Sequence, residues 1–346
     1  DVQLRRFSTV YLLSPNSVRL SKMQEDGQAA APPREMRWPA VLWFIHLHAI
    51  GIYGFWLLLT EAKWMTVVFV TAMTLIGGLG ITAGAHRLWA HGTYTGSWPL
   101  RLFLMLAHTS AGVGSIFDWV VDHRIHHKFY GQDVDPYDHK KGFIYSHILA
   151  NLMTKPAGHE NAAKQIPVHD IENDGYVMIQ RSLYWVLMPI VGILLPINAP
   201  AEYWGESILN SVFIMGVLRL VFTVNMSWLV NSATCIWGLN PGDKYPPDDN
   251  SVFFVTRSYW PHYHYIVPWD YKSGEFGTYD GGCTTTFIKI WKLLGLAKCL
   301  KTAKSEDIRE ALAKVASTGS KLDDCLQEVH ESAEENAARK ELAFKH

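Results

Sequence analysis

PAVLWFIHLHAIGIYGFWLLLT, residues 39–60, is a run of 22 positions without an acidic residue, a lysine or an arginine. A helix rising about 1.5 Å per residue needs roughly 20 such positions to cross the hydrocarbon core of a bilayer. Buried helices of soluble proteins are rarely this long and this apolar, so the stretch reads as a membrane span. Only Glu61-Ala62-Lys63 separate it from the next apolar run, 64–85, which must therefore return directly as the second arm of a helical hairpin.

A second hairpin has the same form further along. Runs 183–203 and 208–230 flank the short turn Trp204-Gly205-Glu206-Ser207. Pro189 and Pro196 fall inside it, and membrane helices tolerate proline better than soluble ones do. Arg219 lies within the last run, where a charge is expected to face protein or a cavity, not lipid. The apolar stretch 99–119 is interrupted by Arg101, His108 and several glycines. It is expected to lie buried or along the interface and not to span. Between the hairpins, 120–182 is polar and charged.

Composition agrees. Of 346 residues, 49% are apolar and only 18% charged, and the net charge of −1 offers nothing to a nucleic acid. Cys235, Cys283, Cys299 and Cys325 are scattered without CxxC spacing, so neither a disulfide framework nor a structural zinc site is implied. Residues 1–38 contain Arg5, Arg6, Arg19, Lys22, Arg34 and Arg37 and no early apolar core; they read as a mobile cytosolic tail, not a secretory signal. A basic tail favours the cytosol. Four crossings then return 86–182 and 231–346 to that side, with both termini cytosolic. The segment 301–346, rich in Glu, Ala and Lys, is expected to be a solvated helical tail without chemistry.

Sixteen histidines are present, and seven fall in three short clusters that this topology brings to one membrane face. His86 and His91 sit five apart, about 140° from one another on an α-helix, and converge only if the helix end unwinds or one ring reaches back. His123, His126 and His127, at offsets of three and four, share one helical face, with the last two splayed toward two adjacent metals. His262 and His264 form the third cluster. Imidazole-rich sites suit iron, copper or zinc. Asp118, Asp122, Asp133 and Asp135 lie near enough in sequence to orient ligand imidazoles from behind.

At these residues the chain resembles the membrane-bound fatty acyl-CoA desaturases, in particular the animal Δ9 stearoyl-CoA type. The resemblance covers roughly 35–300 and rests on GLGITAGAHRLWAH (78–91), DHRIHHKF (122–129), DVDPYD (133–138), YWGESILN (203–210), WLVNSA (228–233) and PWDY (268–271). It implies an all-α integral membrane protein: four transmembrane helices in two hairpins and a helical cytosolic cap, 86–182 with 231–300, carrying a histidine-cluster di-metal site. The implied reaction places a cis double bond in a saturated acyl-CoA held in a bent apolar tunnel. Dioxygen is reduced with electrons from a b-type cytochrome and its NADH-dependent reductase, in the endoplasmic reticulum membrane.

The resemblance makes His86, His91, His123, His126, His127 and His264 ligands of two iron ions. The first iron would take His86, His91, His123 and His127, and the second His126 and His264, with Asn231 holding a water on it. Asp122, Lys155 and Trp119 would meet the acyl-CoA. This chain departs from the pattern at three of nine expected imidazoles. The family box His-Asn-Tyr-His-His is here Pro261-His262-Tyr263-His264-Tyr265, and another family histidine is Cys235. Cys235, His262 and Tyr265 are the candidate substitutes, and the second iron is expected to be held weakly if at all. Two family arginines, at Val121 and Thr154, are also absent, thinning the coenzyme surface. The chain is thus either a working desaturase or an impaired paralogue that binds acyl-CoA or a partner desaturase.

Overall fold

The computed structural model describes residues 33–233, 235, 264–265, 267–275 and 279–343. The chain divides into Asp1–Glu35 and Met36–His346, and all helices named below lie in the second unit. The first hairpin is α1 (Trp38–Thr60) and α2 (Trp64–Ala90). After it come α3 (Trp98–Ala111) and α4 (Ile116–Lys128). The second hairpin is α5 (Gly175–Trp204) and α6 (Ile208–Ser232). Among the described residues α1, α2, α5 and α6 are the helices long and apolar enough to cross a membrane singly. Their outer faces carry exposed Trp43, Ile52, Trp56, Trp185 and Leu195, as lipid contact requires.

The two hairpin turns are tied to each other. The Lys63 backbone N–H donates to Glu206 Oε2 at 2.8 Å, and the Thr66 hydroxyl donates to the same oxygen at 2.5 Å. Lys63 Nζ donates to the Trp204 carbonyl at 2.9 Å, and the Trp204 indole donates to Thr66 at 2.8 Å. With both turns pinned at one end, the far ends of α2, α5 and α6 share the other. The histidines emerge there.

α3 and α4 meet at an 85° bend. Gly112 makes the corner with φ 73°, a left-handed conformation that glycine adopts without a Cβ clash. Ser115 then caps α4, accepting from the Asp118 N–H at 3.1 Å. α3 packs directly on α2: a Cβ on Gly80 would lie 2.2 Å from the His108 backbone nitrogen, so only glycine permits the approach. Taken together the two helices are apolar enough for one broken span or a re-entrant segment, where the sequence suggested a segment that does not span. Arg219 is fully buried and donates to the carbonyls of Met215 (3.0 Å), Ser110 (2.7 Å) and Gly192, so its charge faces protein.

Past the second hairpin, α7 (Cys283–Leu293) leads to a two-residue antiparallel pairing of β2 (Ala297–Lys298) with β1 (Thr95–Gly96). The carboxyl-terminal region differs from the expected solvated tail. It folds as a helical hairpin, α8 (Ser305–Thr318) and α9 (Leu322–Ala343). Cys325, Val329, Ala333 and Ala337 recur every fourth residue and are buried, the stripe of a helix with one packed face. Much of that stripe packs with Val267 and Trp269, and Trp269 stacks on His330 at 4.8 Å. The segment that carries His264 is therefore braced by the tail.

Candidate metal centre

The carboxyl-terminal half of α2 is wound as a π-helix from Gly80 to Ala90. Each N–H there reaches back five residues, and the His91 N–H donates to the His86 carbonyl at 3.1 Å. The looser winding brings His91 back toward the face that carries His86, with ring centroids 4.8 Å apart. On an α-helix these rings would stand about 140° apart and converge only by unwinding or by one ring reaching back; the π winding supplies the unwinding. On α4 the i, i+4 pair His123 and His127 faces the same point, and His264 enters from the third cluster.

The ligand nitrogens of His86, His91, His123, His127 and His264 all lie within 4.8 Å of one another. His91 Nε2 and His123 Nε2 are 2.9 Å apart, and His86 Nε2 and His264 Nε2 are 3.2 Å apart. Two nitrogens bound at right angles to one ion, each about 2.1 Å away, would stand about 3.0 Å apart, so these spacings fit a shared metal. His127 Nε2 is buried without a hydrogen-bond partner among the described residues, an isolated lone pair that an ion would satisfy.

Outward contacts aim the rings. Glu275 Oε1 accepts from His86 Nδ1 at 3.0 Å, and Asn231 Oδ1 accepts from His123 Nδ1 at 2.7 Å. Ser273 Oγ lies 3.4 Å from His264 Nδ1. In the first two cases the proton stays on Nδ1 and the Nε2 lone pair points into the group. Glu275 is itself gripped by Arg87, Nε to Oε1 at 2.6 Å and Nη2 to Oε2 at 2.9 Å. Burial opposes ionisation of Glu275, but Arg87 and His86 prevail and hold its carboxyl well below the ordinary range. Burial, reinforced by neighbouring imidazoles, pushes His91, His123, His127 and His264 well below the usual histidine value. They are neutral near pH 7, the form a metal needs.

The remaining expected site residues fall elsewhere. His126 is not in the group of five. Its Nδ1 donates to Asp135 at 2.8 Å and its Nε2 accepts from the Tyr265 hydroxyl at 2.5 Å. His264 joins the first set, not His126 as the resemblance implied, because its ring turns toward His86 while the next residue, Tyr265, turns toward His126. Asn231, expected at the second iron through water, instead bonds directly to His123. Cys235 Sγ lies 3.5 Å from Ser146 Oγ and 3.8 Å from the His139 carbonyl, outside the group. Pro261 and His262 lie outside the described residues. Asp122 pairs with Lys155 and, at 2.8 Å, with His159. Trp119 is not on that surface: it is buried, stacks on His123 at 5.0 Å and donates its indole N–H to Ser227 at 2.9 Å. Of the four aspartates considered, Asp135 orients a histidine, whereas Asp118 accepts from the Ser115 hydroxyl beside the α4 cap. Glu275 went unnoticed in the sequence. The signal was Arg87, a cation between two site histidines that had to find an acid once buried.

No protein-family model matches the chain. Curated relatives do. It is 43% identical over 272 residues to the acyl-CoA Delta-9 desaturase of Acheta domesticus, covering 78% of this chain and 76% of that protein. It is 39% identical over 283 residues to the acyl-CoA Delta12-desaturase of the same insect, covering 81% and 79%. The chain belongs to the acyl-CoA desaturase family. The acyl-CoA Delta(11) desaturase of Choristoneura rosaceana is 34% identical over 290 residues, covering 83% and 86%. Desaturases are oxidoreductases, and the chain is a multi-pass membrane member of that class. Its relatives are named for three different double-bond positions, so the family is shared and the position is not.

Proposed function

We propose that the chain places a cis double bond in the saturated chain of an acyl-CoA at the cytosolic face of the endoplasmic reticulum membrane. The overall change removes two hydrogens from adjacent methylenes and, with two electrons and two protons, reduces dioxygen to two waters. A b-type cytochrome and its NADH-dependent reductase would deliver the electrons. The observation that carries this reading is the convergence of five imidazoles at the common end of two membrane hairpins. Iron held by His86, His91, His123, His127 and His264 would supply the oxygen chemistry. Glu275 and Asn231 fix the tautomers of two of these ligands. Trp119 forms an apolar wall against His123. A cavity of about 140 Å³ between α2 and α6, lined by Leu75, Leu79, Thr82, Met226 and Thr284, reaches Arg87 and Glu275 and would take part of the acyl chain. Lys155, beside Asp122, offers a cationic group to the coenzyme phosphates.

A second reading, an impaired paralogue that binds acyl-CoA or a partner desaturase, is favoured by one contact: the Tyr265 hydroxyl on His126 Nε2. Expression in a desaturase-deficient yeast, with fatty acids read by mass spectrometry, separates the two. New monounsaturated acyl chains are expected for the first reading; their absence from a well-expressed, metal-loaded protein would establish the second. The proposed topology has its own check. Tags at both termini should be digested by protease added to intact microsomes, and a protected carboxyl-terminal tag would show that the crossings have been miscounted.

A further inference from the structure

We infer that this chain holds a single metal ion, with Tyr265 closing the position at which a second would sit. The inference rests on reading the five imidazoles as ligands and does not depend on turnover.

The first argument is convergence. Five imidazole nitrogens within 4.8 Å of one another surround one point. That is already a full donor set for one ion, since first-row metals in nitrogen and oxygen sites take four to six ligands. His264 completes the set, so it is not left over to serve another ion.

The second argument is the engagement of His126. Asp135 accepts backbone N–H groups from Gly131 at 3.1 Å and Tyr137 at 2.9 Å, besides the Nδ1 proton of His126. A carboxylate so placed keeps the His126 proton on Nδ1 and leaves Nε2 as the acceptor. Tyr265 O–H fills that acceptor at 2.5 Å. A metal at Nε2 would have to displace the phenol.

The third argument is space. The Tyr265 ring lies 3.9 Å from that of Tyr130, which stacks on His139 at 4.0 Å with the planes 1° apart. The same phenol ring is 4.6 Å from His127. Three packed rings thus occupy the flank of His126, and moving Tyr265 would break the stack as well as the hydrogen bond. Cys235, the other described substitute, faces Ser146 and the His139 carbonyl.

The test is iron stoichiometry on the full chain, purified in detergent, loaded anaerobically with ferrous iron, desalted and measured by elemental analysis. The unmodified chain is expected to hold about one iron, and both His126→Gln and Tyr265→Phe are expected to keep that value. After air oxidation no visible phenolate-to-iron charge-transfer band is expected, because the phenol donates to His126 and does not bind the ion. Two irons per chain would overturn the inference. So would loss of iron in Tyr265→Phe, or a visible band that this variant abolishes, since either makes the phenol a ligand. Complete absence of iron from the unmodified chain would remove the ligand reading and the inference together. If His126→Gln fails to accumulate, Tyr265→Phe decides alone, as it deletes one oxygen and keeps the ring stack.

Discussion

Alanine at position 123 is expected to strip the centre of its metal. His123 lies at the middle of the group, its ring 4.7 Å from His86, 4.9 Å from His91 and 4.6 Å from His127. It is also the ligand held on two sides, by Asn231 through Nδ1 and by Trp119 through stacking. Removing a partner behind a ligand typically weakens metal affinity 10- to 100-fold, which is the effect expected of Asn231→Ala and Glu275→Gln. Removing His123 takes away a ligand and frees its neighbours to repack, so the loss should exceed that range. Iron content after desalting should fall below about a tenth of the unmodified value, and unsaturated product should vanish with it. Retention of iron in His123→Ala would sink the assignment of these imidazoles as ligands.

Restoring the family pattern should have the largest opposite effect. The fourfold variant Cys235→His, Pro261→His, His262→Asn and Tyr265→His returns three imidazoles and removes the phenol from His126 Nε2. Iron is expected to rise from about one to about two per chain, because ligand number and a freed lone pair now permit a second site. Product in the yeast assay should rise at least about tenfold if the missing ion is what limits turnover. A variant that gains iron without gaining product would place the limitation on the coenzyme side, where Val121 and Thr154 replace arginines. A variant that folds but gains no iron would refute the idea that these four positions closed the second site.

The spans were legible because a bilayer imposes a length. Twenty apolar residues followed by a three-residue turn leave little choice of structure, and four long apolar helices are present among the described residues, the third starting at Gly175 and not at 183. The convergence of the histidine clusters was legible for the same reason, as hairpins return the chain to one face. What could not be read was the fine geometry. The meeting of His86 and His91 depends on π winding, which no local pattern announces. Glu275 stands 189 residues from the histidine it orients, in a loop whose composition resembles solvated turns. The division of His264 and Tyr265 between two sides follows from how adjacent side chains diverge, a matter of one backbone turn. The packed face of α9 was present as a four-residue period but was masked by the charges around it.

The π winding of α2 ties the chemistry of the centre to the length of the chain. Wound with i→i+5 bonds instead of i→i+4, the segment Gly80–Ala90 spends more residues on each turn than an α-helix would. A deletion on the amino-terminal side of His86 that let ordinary winding return would set His91 about 140° around the axis from His86 without altering either side chain. The segment therefore accepts exchange of residues more readily than a change in their number. Its spacing belongs to the ligand set as much as the histidines do.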